Sequence, residues 1–174
     1  MLILLLMKGW FNNMAYIRQE LKIKFIKTHP QAIIPKAAHD FGDAGFDLYA
    51  VEDVTLPPGE VTMVSTGLQL ADCPLQDSSG DQYFLDIRSR SGLSRKLVFP
   101  VTGTVDVNYR GEMMVVLGNL GKEPYHVVKG ERVAQLVIQR IIANSPSVKV
   151  SFEETTLATE TDRGSNGFGS TGKT

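Results

Sequence analysis

The stretch GTVDVNYRGEMMVVLGNLG, residues Gly103–Gly121, decides the fold class because it reads as two short strands joined by a turn. The apolar run Met113–Leu117 predicts a central strand, and GTVDV before it alternates like a partner strand, with NYRG as the turn of a hairpin. Asp106, Asn108 and Tyr109 lie near that turn and could offer a carboxylate and a ring to a small planar ligand. Asp and Asn at this spacing are also ordinary turn formers.

Outward from this stretch, the same strand signature recurs along the chain. Short runs rich in Val, Leu, Ile and Tyr alternate with Gly and Pro from LKIKFI at Leu21–Ile26 to VKVSF at Val148–Phe152. No segment after residue 20 keeps a helical period over ten residues, so the pattern predicts an all-β sandwich, jelly roll or barrel. We expect residues 1–20 to be an extension outside the fold and 21–152 to be the β domain. Residues 153–174, rich in Thr, Gly and Ser, are predicted to be a mobile C-terminal arm.

Composition narrows the classes of function. The 174 residues fit one domain, and 18 Lys plus Arg against 19 Asp plus Glu leave a net charge of -1. This balance argues against a general nucleic-acid or membrane-surface binder, whose affinity needs a basic stripe. A single cysteine, Cys73, cannot form an internal disulfide, and the apolar start lacks the features of a signal peptide. We therefore expect a cytoplasmic protein, or a nuclear one in a eukaryote.

Two segments have chemistry suited to phosphate. GFGSTGKT, Gly167–Thr174, has the spelling of a P-loop, but that motif needs a following helix and the sequence stops at Thr174, so we expect no P-loop fold. Its glycine amides, hydroxyls and nearby Arg163 still suit a phosphate chain, unless the segment is an inert tail. RSRSGLS, Arg88–Ser94, ends a predicted strand, where Arg90 can fork to two phosphate oxygens; solvated surface is the alternative.

Two further polar positions need an explanation. Asp47, in DAGFDLYA, could act on the water shell of a metal ion, although an Asp at the start of a strand is more often a turn or cap residue. Gln135 lies inside the apolar strand predicted over Val133–Ile142, where it needs a partner in the protein or a ligand, unless it faces solvent.

Five motifs in this order resemble those of the trimeric dUTPase family: DAGFDLYA, RSRSGLS, GTVDVNYRGEMMVVLGN, GERVAQLVIQRI and RGSNGFGSTG. The match spans Phe41–Gly172. The resemblance implies a homotrimer of jelly-roll-like β subunits that uses Mg²⁺ to hydrolyse dUTP to dUMP and pyrophosphate. Such an activity keeps uracil out of DNA and supplies dUMP for thymidylate synthesis.

The resemblance also implies roles for single residues. Asp106 matches the carboxylate that activates water, Asp47 matches one that works indirectly through metal-bound water or by holding the site together, and Gln135 completes the catalytic set on the phosphate side. Tyr109 would pack on the deoxyribose, leaving no room for a 2′-hydroxyl. The other expected substrate contacts fall into three groups: Gly103, Thr104, Val105 and Met114 around the base; Arg90, Ser91 and Gly92 at the phosphates; and Arg163, Phe168, Gly169, Ser170 and Thr171 on an arm that closes over a neighbouring subunit's site.

Three positions depart from the usual family pattern. Ser89 stands where a proline usually precedes the Arg-Ser-Gly, Ser94 where alanine is common, and Asn108 where an acidic residue often precedes the tyrosine. The nearest rival reading is dCTP deaminase, which needs a catalytic Glu in the hairpin region, whereas this chain has Asp106. A second rival is a catalytically idle dUTP-binding regulator, against which the intact Asp106 and arm argue.

Overall fold

The computed structural model describes residues 21–39, 42–73, 80–101, 103–141, 148–156 and 161, and the regular structure within them is almost entirely β-strand. The prediction of an all-β fold is confirmed. Within these residues the elements follow in the order β1 Lys24–Lys27, β2 Gly45–Tyr49, β3 Val54–Leu56, β4 Val61–Asp72, β5 Gln82–Arg88, α1 Ser91–Ser94, β6 Val98–Pro100, β7 Thr104–Val105, β8 Glu112–Asn119, β9 Tyr125–Val127 and β10 Arg132–Ile141.

Two antiparallel four-stranded sheets form a jelly-roll-like sandwich. The first sheet has the order β1-β4-β8-β6 and the second the order β2-β10-β5-β7, while β3 and β9 pair separately. In β8 every second side chain is buried, which is the alternation that packs one face of a strand against a core. The fully buried side chains come from both sheets and include Leu48, Leu85 and Leu136 from the second and Val64, Val115 and Leu117 from the first.

The predicted hairpin over Gly103–Gly121 is wrong in its pairing. Thr104 and Val105 pair with β5, opposite Asp86 and Leu85, whereas β8 pairs with β4 and β6. The alternation of apolar and polar residues in GTVDV predicted a strand correctly. It could not predict the neighbouring strand, because the side-chain period does not depend on which sheet a strand joins. Residues 106–111 therefore connect the edge of one sheet to an inner strand of the other.

Two smaller expectations also change. VKVSF was predicted to be a strand, but within 148–156 only Val148 forms an isolated bridge position. RSRSGLS ends in a single helical turn, α1, that the sequence pattern did not predict. Cys73, directly after β4, is buried.

The outer face of the first sheet is apolar. Val61, Met63 and Val101 are each more than half exposed, with exposed fractions of 58%, 60% and 52%. Met63 lies opposite the half-buried Val116 in the register of β4 and β8, and Phe99 lies opposite Gly118. In the part of the chain that the structure describes, no helix is long and apolar enough to cross a membrane.

Asn119 joins three segments at the end of β8. It is buried, its side-chain amide donates to the carbonyls of Leu56 and Glu123 at 2.9 Å each, and its side-chain oxygen accepts from the amide of Gly121 at 2.9 Å. All the hydrogen-bonding groups of this side chain thus hold main chain together around the β8–β9 turn.

We expect Asn119→Ala to lower the free energy of unfolding by about 2–4 kcal/mol, because it leaves buried main-chain groups without partners. Urea unfolding at one fixed protein concentration measures the change. The exposed Asn108 offers a matched control, since Asn108→Ala removes the same atoms from a solvated turn. Equal effects from the two substitutions would contradict the role given to Asn119.

Candidate active site

One half of the candidate site is an ion-pair cluster where β2 meets β10. The carboxylate of Asp47 accepts a hydrogen bond from Nε of Arg90 at 2.9 Å and one from a terminal nitrogen of Arg132 at 3.2 Å. The Asp47 side chain is 14% exposed, and those of Arg90 and Arg132 are 26% and 49% exposed. Because both carboxylate oxygens are engaged, the two guanidinium groups are held side by side. A terminal nitrogen of Arg90 also donates to the Arg132 carbonyl at 3.4 Å, and the other guanidinium donors can face an anion.

Gln135 is oriented in the same cluster. It pairs with Asp47 across the β10–β2 ladder and with Arg88 across the β10–β5 ladder. Its side-chain nitrogen donates to the carbonyl of Ser89 at 2.8 Å, so the interior polar residue has a protein partner. Gly45 provides the space for this side chain: a Cβ at Gly45 would overlap Oε1 of Gln135 and lie 2.8 Å from its Cδ.

The loop before β6 completes this half of the site. The Arg90 carbonyl accepts the amides of Leu93 and Ser94, at 3.1 and 3.0 Å, which closes the single turn α1 and leaves Ser91 and Gly92 exposed at its start. The resulting open pocket has a volume of about 560 Å³. We call it the arginine pocket, and its polar lining is Asp43, Asp47, Arg90, Ser91, Arg132 and Gln135.

Asp43, at the mouth of the arginine pocket, is held as a carboxylate. Its Oδ2 accepts the main-chain amide of His39 at 2.8 Å and contacts Nδ1 of the same residue at 3.0 Å. The main-chain hydrogen bond, followed by the side-chain one, lowers the pKa of Asp43 below its ordinary value. A charged Asp43 at the rim adds a negative group beside the arginine cluster.

The other half of the candidate site is a smaller pocket of about 170 Å³, formed where β7 leads into β8. We call it the tyrosine pocket. Gly103, Thr104 and Val105 contribute one wall, and Tyr109 and Met114 lie on the other side. The structure therefore brings together the five residues predicted to surround a base and sugar.

The turn between β7 and β8 presents Asp106 and Tyr109. The amide of Tyr109 donates to the Asp106 carbonyl at 3.0 Å, and the Tyr109 hydroxyl donates to the carbonyl of Glu112 at 3.3 Å. Gly111 is required beneath the ring, because a Cβ there would overlap the Tyr109 hydroxyl. Asp106 is exposed at the start of the turn, where its carboxylate is accessible to water.

The two pockets use different parts of the second sheet. The arginine pocket is lined by residues of β2 and β10 and by the segment after β5, whereas the tyrosine pocket is lined by residues of β7 and β8 and by Ile87 of β5. The two linings share no residue, and Asp106 begins the turn beside the tyrosine pocket without lining either one. The predicted site residues of the β domain thus form two groups instead of one. Arg163, Phe168, Gly169, Ser170 and Thr171 lie outside the described residues.

Three contributors were missed by sequence reasoning. Arg132 pairs with Asp47, Gly45 makes room for Gln135, and Glu112 lines the tyrosine pocket. Arg132 lies close to Gln135 in GERVAQ, but only the register of β10 against β2 shows that it meets Asp47. Glu112 follows the turn as an ordinary polar strand start, so nothing in its immediate sequence singled it out.

Comparisons with known proteins agree with the five motifs. The family model for dUTPase matches residues 31–172. A deoxyuridine 5'-triphosphate nucleotidohydrolase of Wolinella succinogenes is 45% identical over 158 residues, covering 89% of this chain and 97% of the relative. One from Solibacter usitatus is 43% identical over 157 residues, with 88% and 97% covered. Among solved structures, a dUTPase of Staphylococcus bacteriophage 80alpha with dUpNHpp superposes with a TM-score of 0.67 at 26% identity, covering 87% of this chain and 99% of that chain.

The contact between Gly45 and Gln135 can be tested by a double-mutant cycle. Gly45→Ala should lower the free energy of unfolding by about 1–3 kcal/mol, because the new methyl group displaces Gln135 from the Ser89 carbonyl. In a Gln135→Ala background the obstructing side chain is gone, so the same substitution should cost much less. Urea unfolding of the four proteins at one concentration gives the coupling. An equal cost in both backgrounds would show that the two residues do not meet.

Proposed function

The chain belongs to the dUTPase family, and we propose on this premise that it hydrolyses dUTP to dUMP and pyrophosphate. The observation that carries the proposal is the pair of pockets. One is an arginine cluster suited to a triphosphate, and the other is a small pocket with a tyrosine wall suited to a nucleoside. In the cell this reaction would keep uracil out of DNA and supply dUMP for thymidylate synthesis.

The tyrosine pocket would hold the uracil and the sugar. Main-chain groups of Gly103, Thr104 and Val105, with Met114 beside them, would meet the base. The walls of the tyrosine pocket would leave no room for the methyl group of thymine. The ring of Tyr109 would pack on the deoxyribose at the place where a ribose carries its 2′-hydroxyl. Both features would select dUTP by steric exclusion, which can exceed the roughly 1–3 kcal/mol that one methylene contributes to binding.

Asp106 would act as the general base. Its carboxylate is exposed at the start of the Tyr109 turn, next to the predicted sugar wall. It would take a proton from the water that attacks the α-phosphorus, and the bond from that phosphorus to the bridging oxygen would break to release pyrophosphate. Proton removal by a positioned carboxylate typically accounts for a rate factor of about 10²–10⁴.

The arginine pocket would bind the phosphates. Arg90 and Arg132 are oriented by Asp47, and the hydroxyl of Ser91 and the main chain at Gly92 are exposed beside them. Gln135, fixed by the Ser89 carbonyl, supplies the remaining polar contact. Such pre-oriented donors stabilise the negative charge that develops on the phosphate oxygens during bond breaking.

The residues of the arginine pocket are compatible with a Mg²⁺ ion that binds mainly to the phosphates of the substrate. Both oxygens of Asp47 accept arginine hydrogen bonds, and within the described ranges no group of three or more His, Cys, Asp or Glu side chains converges as a metal site. Mg²⁺ commonly keeps several waters and binds phosphates with only one or two carboxylates. Asp47 would therefore act through water while holding the arginines together, and the ion when bound would supply positive charge to the phosphates.

A homotrimer would bring the two pockets together. The tyrosine and arginine pockets of a single chain are separate and share no lining residue, so they do not form one closed site. The apolar outer face of the first sheet, with Val61, Met63 and Val101, supports burial against other copies of the chain. In the proposed assembly the nucleoside pocket of one subunit meets the phosphate pocket of a neighbour, and the arm 153–174 reaches a neighbouring site, with Phe168 over the base and Arg163 on the γ-phosphate.

Pyrophosphate release from dUTP, UTP, dTTP and dCTP tests the reaction. We expect hydrolysis of dUTP and little of the other three, and we expect Asp106→Asn to bind dUTP but to lose at least about 10²-fold in kcat, because the water keeps its proton. Asp72→Asn, at an exposed ion pair with Lys24, is the matched control and should keep wild-type kcat. Release of ammonia from dCTP would refute the proposal, and an unchanged kcat would remove Asp106 as the base.

Mixed assemblies test the shared site. Asp106→Asn and Arg90→Ala impair opposite pockets, so each variant alone should be nearly inactive. Unfolding the two together and refolding the equal mixture should restore activity to about a quarter of the wild-type value, because that fraction of interfaces pairs one intact pocket of each kind. Mixing the separately folded proteins is the control. A refolded mixture as inactive as its parents would show that both pockets serve one site within a single chain.

A further inference from the structure

Glu112 connects the first sheet to the tyrosine pocket. It is the first residue of β8 and lines the pocket. Its side-chain Oε1 accepts hydrogen bonds from the hydroxyl of Ser65 and from the amide of Gly67, the latter at 3.0 Å. Its main-chain carbonyl accepts the hydroxyl of Tyr109 at 3.3 Å. One residue therefore binds β4 through its side chain and the tyrosine ring through its main chain.

The donors on β4 are fixed by a bulge. Ser65 pairs with Met114 and Gln69 pairs with Glu112, so residues 66–68 lie opposite Met113 alone. Gly67 has a φ of 63°, and a Cβ at this position would lie 2.6 Å from the Cβ of His29. Only glycine fits this backbone, and the bulge aims the Gly67 amide at the Glu112 carboxylate.

The rest of the turn is anchored on either side of the ring. The side-chain nitrogen of Gln69 donates to the Arg110 carbonyl at 2.5 Å, and the Arg110 guanidinium donates to the carbonyls of Val107 and Tyr109 at 2.7 and 3.0 Å. Tyr109 is 48% exposed, so packing alone does not hold its ring in place. Its orientation depends on the hydroxyl contact with Glu112.

We propose that Glu112 is a positioning residue that sets the discrimination between 2′-deoxyribose and ribose, an inference that rests on the proposed function. The ring of Tyr109 can exclude a 2′-hydroxyl only while it stays pressed against the sugar. The Glu112 carboxylate, held by Ser65 and Gly67, fixes the main-chain carbonyl that receives the Tyr109 hydroxyl. Releasing the carboxylate frees the start of β8 and lets the ring move away, which admits a ribose.

The measurement is the selectivity ratio, kcat/KM for dUTP divided by kcat/KM for UTP. We expect Glu112→Ala to lower this ratio about tenfold and Ser65→Ala to lower it about threefold, since they remove the acceptor and one of its donors. Glu112→Gln keeps an oxygen acceptor at the same place and should retain most of the ratio. Glu123→Ala, on the exposed turn after β8, removes the same side chain away from the pocket and should leave the ratio unchanged.

A structural role alone would lower thermal stability without changing the ratio, so an unchanged ratio in a folded Glu112→Ala protein overturns the proposal. If Glu112→Ala does not fold, Ser65→Ala decides in the same way. The relative affinities for dUMP and UMP, measured by calorimetry, give a second ratio that needs no turnover. Absence of dUTP hydrolysis in the wild-type protein would thus count against the proposed function. The ratio of dUMP affinity to UMP affinity would still test the role of Glu112 in that case.

Discussion

The crossing of the chain between the two sheets at residues 106–111 is the constraint on which the candidate site depends. Thr104 and Val105 form an edge strand on β5, and after six connecting residues Glu112 begins an inner strand of the other sheet. A two-residue hairpin turn would have kept both strands in one sheet. The longer connection opens a space between the sheets, and that space is the tyrosine pocket. Gly111 supplies the room that the Tyr109 side chain requires at the end of this crossing.

The arginine pocket depends on a different interaction, the electrostatic attraction between one carboxylate and two guanidinium groups. Asp47 alone, with a side chain only 14% exposed, would carry an unfavourable desolvation cost, and two unpaired arginines at this distance would repel each other. Together the three groups carry a net charge of +1 and fixed geometry. Because an arginine retains donors after binding one carboxylate, the cluster is satisfied without an anion and still attracts one.

The sequence predicted the strands better than their partners. The all-β class, the strand around Met113–Leu117 and the need of Gln135 for a partner all follow from side-chain period and burial. Strand pairing depends on register and on the twist of whole sheets, and a short stretch of sequence contains neither. The predicted hairpin was therefore wrong, and the pairing of Arg132 with Asp47 was missed. The resemblance to a family assigned Asp106, Tyr109, Arg90 and Gln135 to one site by motif, and these roles stay predictions. It could not show that one chain places Tyr109 and the pair Arg90 and Gln135 in two pockets without a common lining residue, and the division into extension, domain and arm stays a prediction.

In the proposed trimer, separation of the pockets would couple substrate binding to assembly. In the proposed trimer a ligand that contacts both pockets binds only the assembled state, so it must stabilise the trimer by the free energy of its own binding. The coupling is reciprocal, and a substitution of Val61 or Val101 on the apolar outer face, neither of which lines a pocket, would weaken substrate affinity. Substitutions within the tyrosine pocket would affect selectivity between nucleosides, and those in the Asp47 cluster would affect nucleotides of every base alike. In the proposed trimer the two pockets would therefore divide recognition, since the tyrosine pocket would distinguish nucleosides and the arginine pocket would bind the charged phosphates.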